Sequence, residues 1–169
     1  HRANTLADLG RSQLALSAYD RAIEISPDSP EDWCNRANVL VDLDRVDEAI
    51  ESLDRAIALD PKEAQYHLNR ARILGDFNRL KEALASDNRA LALEPKLAEA
   101  YTHSGLLLRD LGRLDEARAR LDRVVTLSPD RPESFVHRGH TFRETGRLAE
   151  ATLDYQRADR KSTRLNSSH

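Results

Sequence analysis

Ala22-Ile23-Glu24-Ile25-Ser26-Pro27, Ala56-Ile57-Ala58-Leu59-Asp60-Pro61, Ala90-Leu91-Ala92-Leu93-Glu94-Pro95 and Val124-Val125-Thr126-Leu127-Ser128-Pro129 are one phrase written four times. The prolines stand 34 residues apart, a period that marks a stacked structural unit. Pro30 and Pro132 each fall three residues after a phased proline, where the first turn of a helix needs no N–H. Proline therefore interrupts no unit. Between the prolines apolar side chains recur at helical spacing, as in Trp33, Ala37 and Leu40 and then Ala49, Leu53, Ala56 and Ile57, so each unit holds two helices. The expected breaks are Leu9-Gly10-Arg11, Leu43-Asp44-Arg45, Phe77-Asn78-Arg79, Leu111-Gly112-Arg113 and Thr145-Gly146-Arg147. Gly, Asn and Asp best tolerate the left-handed conformation that closes a helix.

Composition narrows the classes of function. Of 169 residues, 33% are charged and 40% apolar, with 26 Lys+Arg against 29 Asp+Glu and a net charge of -3. Bulk charge thus offers no grip on nucleic acid. No apolar run approaches the roughly 18 residues of a membrane helix, and no signal-peptide pattern opens the chain, so a cytoplasmic setting is expected. Cys34 is the only cysteine, which leaves no intrachain disulfide and no cysteine-based zinc site. With no Met, and His1-Arg2-Ala3-Asn4 at its start, the chain reads as an internal fragment.

These residues resemble the tetratricopeptide repeat family. In that family's phase the aromatic at repeat position 4 is Trp33, Tyr101 and Phe135, and the small residue at position 8 is Ala3, Ala37, Ala71, Gly105 and Gly139. Position 20 is Ala15, Ala49, Ala83, Ala117 and Ala151, and position 27 is Ala22, Ala56, Ala90, Val124 and Ala158. The resemblance spans residues 1–158 and implies an all-α, right-handed α-solenoid of antiparallel helix hairpins. Its units are a shortened repeat 1 (1–29), then 30–63, 64–97, 98–131 and 132–158. Residues 159–169 drop the pattern, with Asp159 and Lys161 at apolar places and Thr163 in place of the proline. They look like a translated sequencing adapter and are expected to be disordered or loosely attached, the alternative being a polar solvating cap.

Repeat three departs twice: His67 replaces the aromatic at position 4 and Asp87 the large apolar residue at position 24. In an antiparallel hairpin the two places lie near each other, so the pair either forms a buried contact or stays partly exposed as the soft spot of the array. No catalytic residue, metal site or cofactor is nominated. His137 and His140 share a helical face with His103 one repeat away, but hairpins roughly 9 to 10 Å apart place the rings too far apart for one ion. Phosphate loops and nucleophile elbows are missing from the sequence.

The family implies a concave surface for partners. Positions 2 and 13 on it carry Glu31, Gln65, Glu99, Glu133 and Asp8, Asp42, Asp76, Asp110, Glu144, opposed by Arg72, Arg109 and Arg143. A net acidic groove repels RNA and favours basic peptide side chains. Position 6 is His1, Asn35, Asn69, His103 and His137, with Asn4 and Asn38 at position 9. Such amides and imidazoles can bond an extended peptide backbone, and the column is similar to the asparagine ladder of repeat arrays attached to O-linked N-acetylglucosamine transferases. A solvated polar face is the competing reading. The chaperone-tail clamp of the family needs Lys and Arg at places held here by Gln65 and Asn69, or by Glu99 and His103, which argues against that ligand.

The expected function is therefore binding of an extended peptide by Asn35, Asn38, Asn69, Arg72, His103, His137, Asp42, Asp76 and Asp110, with no enzymatic activity. Two alternatives are an accessory, substrate-recruiting domain of a larger glycosyl- or sulfotransferase-like enzyme and a structural scaffold.

Overall fold

The computed structural model describes residues 2–166, and the side chains of residues 10–164. The described residues form nine helices and no strand: α1 (Arg2–Ile25), α2 (Pro30–Asp42), α3 (Val46–Leu59), α4 (Ala64–Asp76), α5 (Leu80–Leu93), α6 (Ala98–Asp110), α7 (Leu114–Leu127), α8 (Pro132–Glu144) and α9 (Leu148–Asn166). The fold is a helical repeat solenoid, and its chain divides into two compact units, one ending at Arg79 and one starting at Leu80. Within the first, α1 packs on α2, α2 on α3 and α3 on α4; within the second, α5 through α9 pack in sequence.

Four of the expected breaks are turns. Asp44 and Asn78 (φ 59° each), Gly112 (φ 73°) and Gly146 (φ 76°) take the left-handed conformation. Each closes the helix before it in the same way. The N–H of the following arginine returns to the last turn, Arg45 to Leu40 O at 2.9 Å and Arg79, Arg113 and Arg147 to Leu74, Leu108 and Phe142 O at 2.8 Å. Arg45, Arg113 and Arg147 then turn forward onto Glu48, Glu116 and Glu150, placing a carboxylate at the positive start of the next helix.

Small residues set the helix spacing. Ala37, Ala49, Ala56, Ala71, Ala83, Ala90, Ala100 and Ala117 have no solvent exposure, and Leu40, Leu53, Leu68 and Leu121 fill the space around them. A Cβ on Gly105 would lie 3.0 Å from Leu121 Cγ, and one on Gly139 would lie 2.8 Å from Tyr155 Cε1. Larger residues would push these helices apart.

A polar clasp adds to this packing. Arg36 donates to Asp20 Oδ1 at 2.8 Å and to Ser52 Oγ at 2.6 Å. Arg138, one of its counterparts, holds Asp122 at 2.9 Å and Asp154 at 2.7 Å. In repeat four the arginine has moved: Ser104 takes the place of Arg138, and Arg120 on α7 reaches Asn88 Oδ1 at 2.7 Å.

Three expectations are corrected. The predicted break at Leu9-Gly10-Arg11 is absent, because α1 runs unbroken through Gly10. Residues 2–9 make about two turns, too little to bury a face against a second helix, so continuing the i to i−4 bonds is the better solution. Residues 159–166, expected to be disordered or loosely attached, continue α9, with Lys161 Nζ 3.2 Å from Asp130 Oδ1. They contain neither Pro nor Gly, and a helix already nucleated propagates through polar residues. Last, His67 and Asp87 are not partly exposed; their relative exposures are 8% and 0%.

Candidate functional site

The expected groove residues sit on the first helix of each hairpin. Among those of repeat one, His1 lies outside the described residues, and the side chains of Asn4 and Asp8 lie outside the described side chains.

In the first unit, α2 and α4 expose one polar face each, and between them lies a cavity of about 320 Å³. Asn38, Val41 and Asp42 line it from α2, and Asn69, Arg72, Ile73 and Asp76 from α4. Five of the nine nominated residues therefore converge there. Spacings of three and four along each helix bring them onto one stripe. Asn38, Asp42, Arg72 and Asp76 are exposed, and no ion pair among the described residues engages Asp42, Arg72 or Asp76. Two carboxylates and one guanidinium leave the rim net negative.

Asn69 is held from both sides. Its Oδ1 accepts from Gln65 Nε2 at 2.9 Å and its Nδ2 donates to Cys34 Sγ at 3.3 Å, which leaves one lone pair of the carbonyl for a ligand. Burial pushes the Cys34 thiol above its ordinary range, with the Asn69 bond opposing and Glu31 adding to the rise. A thiol kept protonated is a packing group here and not a nucleophile. Beside it, burial pushes the Tyr66 phenol up to about 12, with Glu31 adding to the rise. Asn35 is exposed on α2 but does not line the cavity.

The second unit treats its nominated residues differently. His103 Nδ1 is bonded at 2.7 Å to Asp87 Oδ2, so this imidazole is tied to the framework. Asp110 lies exposed at the end of α6 with Arg109 Nη2 at 3.7 Å, and the same guanidinium is 3.8 Å from Glu144. His137 lines a separate cavity with Glu133. Burial, followed by the positive fields of Arg109 and His140, holds it below the ordinary imidazole range, with Glu133 opposing. The meeting of His67 with Asp87 spans the two units and stays an expectation.

Two family profiles, both for the tetratricopeptide repeat, match residues 4–74 and 104–164. The chain belongs to the tetratricopeptide repeat family. No curated protein matches it in sequence. Its fold is similar to that of MamA, at 22% identity over 94% of this chain and 92% of that one, with a TM-score of 0.87. It is also similar to YrrB, described as a tetratricopeptide protein with an unusual peptide-binding site, at 24% identity, 94% and 82% coverage and a TM-score of 0.75. A thermophilic tetratricopeptide protein of Thermus thermophilus follows at 25% identity, 94% and 87% coverage and a TM-score of 0.70. Like other arrays of this family, the chain is a protein–protein interaction module. No helix among the described residues is long and apolar enough to cross a membrane.

Reading the tetratricopeptide array by columns missed two kinds of lining residue. Val41 and Ile73, which belong to none of those columns, supply the apolar floor of the first-unit cavity. Arg131 and Ser134 line the second-unit cavity from the connection and first turn that precede the column. A signal was present, since position 34 reads Ser29, Glu63, Leu97 and then Arg131.

Proposed function

We propose that the array binds an extended peptide segment along the exposed face of α2 and α4, and that it favours Lys or Arg in that segment. One observation carries this reading: Asn38, Asp42, Asn69, Arg72 and Asp76 meet around one cavity with an apolar floor. A peptide lying there meets amides that pair with its backbone and carboxylates that select its side chains. YrrB, with its described peptide-binding site, shares the fold and supports the reading by analogy alone. We assign the array no catalysis of its own, and its role is to hold a partner.

Peptide-array selection followed by calorimetry on the hits tests this. Asn38→Ala removes a neutral hydrogen bond and is expected to weaken every hit by roughly 2- to 12-fold. Asp42→Asn combined with Asp76→Asn is expected to weaken only basic hits, by roughly 2- to 10-fold, with a smaller difference at high salt. If both variants bind all hits as the parent does, this face is only solvated and the proposal fails.

A further inference from the structure

The second unit contains a cavity of about 430 Å³ to which the groove columns contribute only Glu133 and His137. Its walls are α6, the end of α7, the connection after it and the first turn of α8. Three observations on it fit a ligand-binding role. Ser134 is only 3% exposed, lines the cavity, and its hydroxyl has no hydrogen-bond partner among the described residues. Its oxygen is not fully enclosed, so a group from outside can reach it. Arg131 also lines the cavity, is exposed, and has no acidic partner among the described residues. The Ser128 hydroxyl beside it makes no side-chain hydrogen bond either.

The start of α8 reinforces the pattern. At the corresponding place before α2, Ser29 accepts from the Asp32 N–H at 3.3 Å, and before α4 Glu63 accepts from the Gln65 N–H at 3.0 Å. Arg131 precedes α8 and caps nothing with its side chain. An acceptor has been replaced by a cation at the positive end of a 13-residue helix. Going from α2 to α8, Ser29 becomes Arg131 and Asp32 becomes Ser134, while Glu31 is matched by Glu133. The first turn thus gains two units of positive charge.

We propose that this cavity binds the carboxylate of an Asp or Glu side chain in a partner peptide, held by the Arg131 guanidinium and the hydroxyls of Ser128 and Ser134. The guanidinium supplies two parallel donors and the buried serine a third. Ala98, Val124 and Pro132 give the chain next to the carboxylate an apolar wall. Glu133, exposed at the rim, opposes the ligand's charge and sets its affinity low. This site goes beyond the proposed groove function, shares no residue with the first-unit cavity, and each can fail without the other.

The test is an NMR titration of the whole chain with three probes: Ac-Gly-Asp-Gly-amide, Ac-Gly-Asn-Gly-amide and Ac-Gly-Gly-Gly with a free carboxyl end. The Asp probe is expected to shift the Ser134 and His137 amides saturably, with the Asn probe silent. Arg131→Ala is expected to weaken the Asp probe about tenfold or more, and Arg131→Lys to retain part of the affinity. Ser134→Ala is expected to weaken it a few-fold, whereas Glu133→Gln tightens it about two- to fivefold. Arg131 and Glu133 are exposed, so both variants fold, which melting curves verify. Equal response to the Asn probe overturns the proposal, as does weaker binding by Glu133→Gln. Tighter binding of the free-carboxyl probe overturns the assignment to a side chain.

Discussion

Asp87 occupies a place where the neighbouring repeats have Leu53 and Leu121, and it is as buried as they are. Burial pushes its carboxyl above the ordinary range, while the His103 bond and the fields of His103 and Arg120 pull it back. One oxygen, Oδ1, has no hydrogen-bond partner among the described residues. A folded-state value raised above the unfolded one means that the folded chain binds the proton more tightly. Stability is then fully present below the unfolded value and is lost as pH rises through the folded one. Asp87→Asn removes the charge and keeps an acceptor for His103. It is therefore expected to melt higher than the parent near pH 7, with the advantage disappearing towards about pH 4. Thermal unfolding across that range decides it, and an advantage that grows on acidification contradicts the assignment.

At the scale of the helix, the same Gly-Arg pair does two opposite things. In Gly112-Arg113 the glycine is left-handed at φ 73° and ends α6, whereas Gly10-Arg11 lies inside α1. Alanine should separate the two cases. Gly10→Ala raises helix propensity and is expected to stabilise by up to about 1 kcal/mol. Gly112→Ala forces a side chain into the left-handed region and is expected to destabilise by about 1 kcal/mol. Neither position has atoms within 4 Å of an added Cβ, so packing does not confuse the comparison. Chemical denaturation of the two variants measures the difference. A loss of stability in Gly10→Ala would mean that α1 turns at Gly10 after all.

On the scale of the molecule, a repeat array is held by nearest neighbours, and damage stays local. Asp154, with a side chain only 2% exposed, and Asp122 hold Arg138, itself 13% exposed, so the clasp ties α7, α8 and α9 together. Asp154→Ala strands a mostly buried guanidinium on its remaining partner and is expected to cost about 3 kcal/mol. The cost should show in hydrogen exchange as faster opening of α8 and α9, while α2 and α3 keep the protection of the parent. Uniform loss across all helices would instead show a single cooperative unit.

The sequence by itself determined the fold class, the repeat length and four of the turns. Those properties are periodic: Pro27, Pro61, Pro95 and Pro129, the alanines at position 20 and the residues at 44, 78, 112 and 146 each repeat every 34 positions, and physical noise at one site cannot hide a signal that recurs. The polar face carrying Asn38, Asp42, Asn69, Arg72 and Asp76 was legible for the same reason. Only the tertiary structure decided how those side chains are spent. It ties Asn69 to Cys34 and Gln65, bonds His103 to Asp87, and leaves Asn35 off the cavity that its column predicts. It also decided that Gly10 would not turn and that residues 159–166 would remain helical, since a turn or a helix end depends on what is available to pack against and not on the local residues alone. The Arg131 cavity lay outside the reach of periodicity because its decisive cation, Arg131, stands where the other repeats carry Ser29, Glu63 and Leu97.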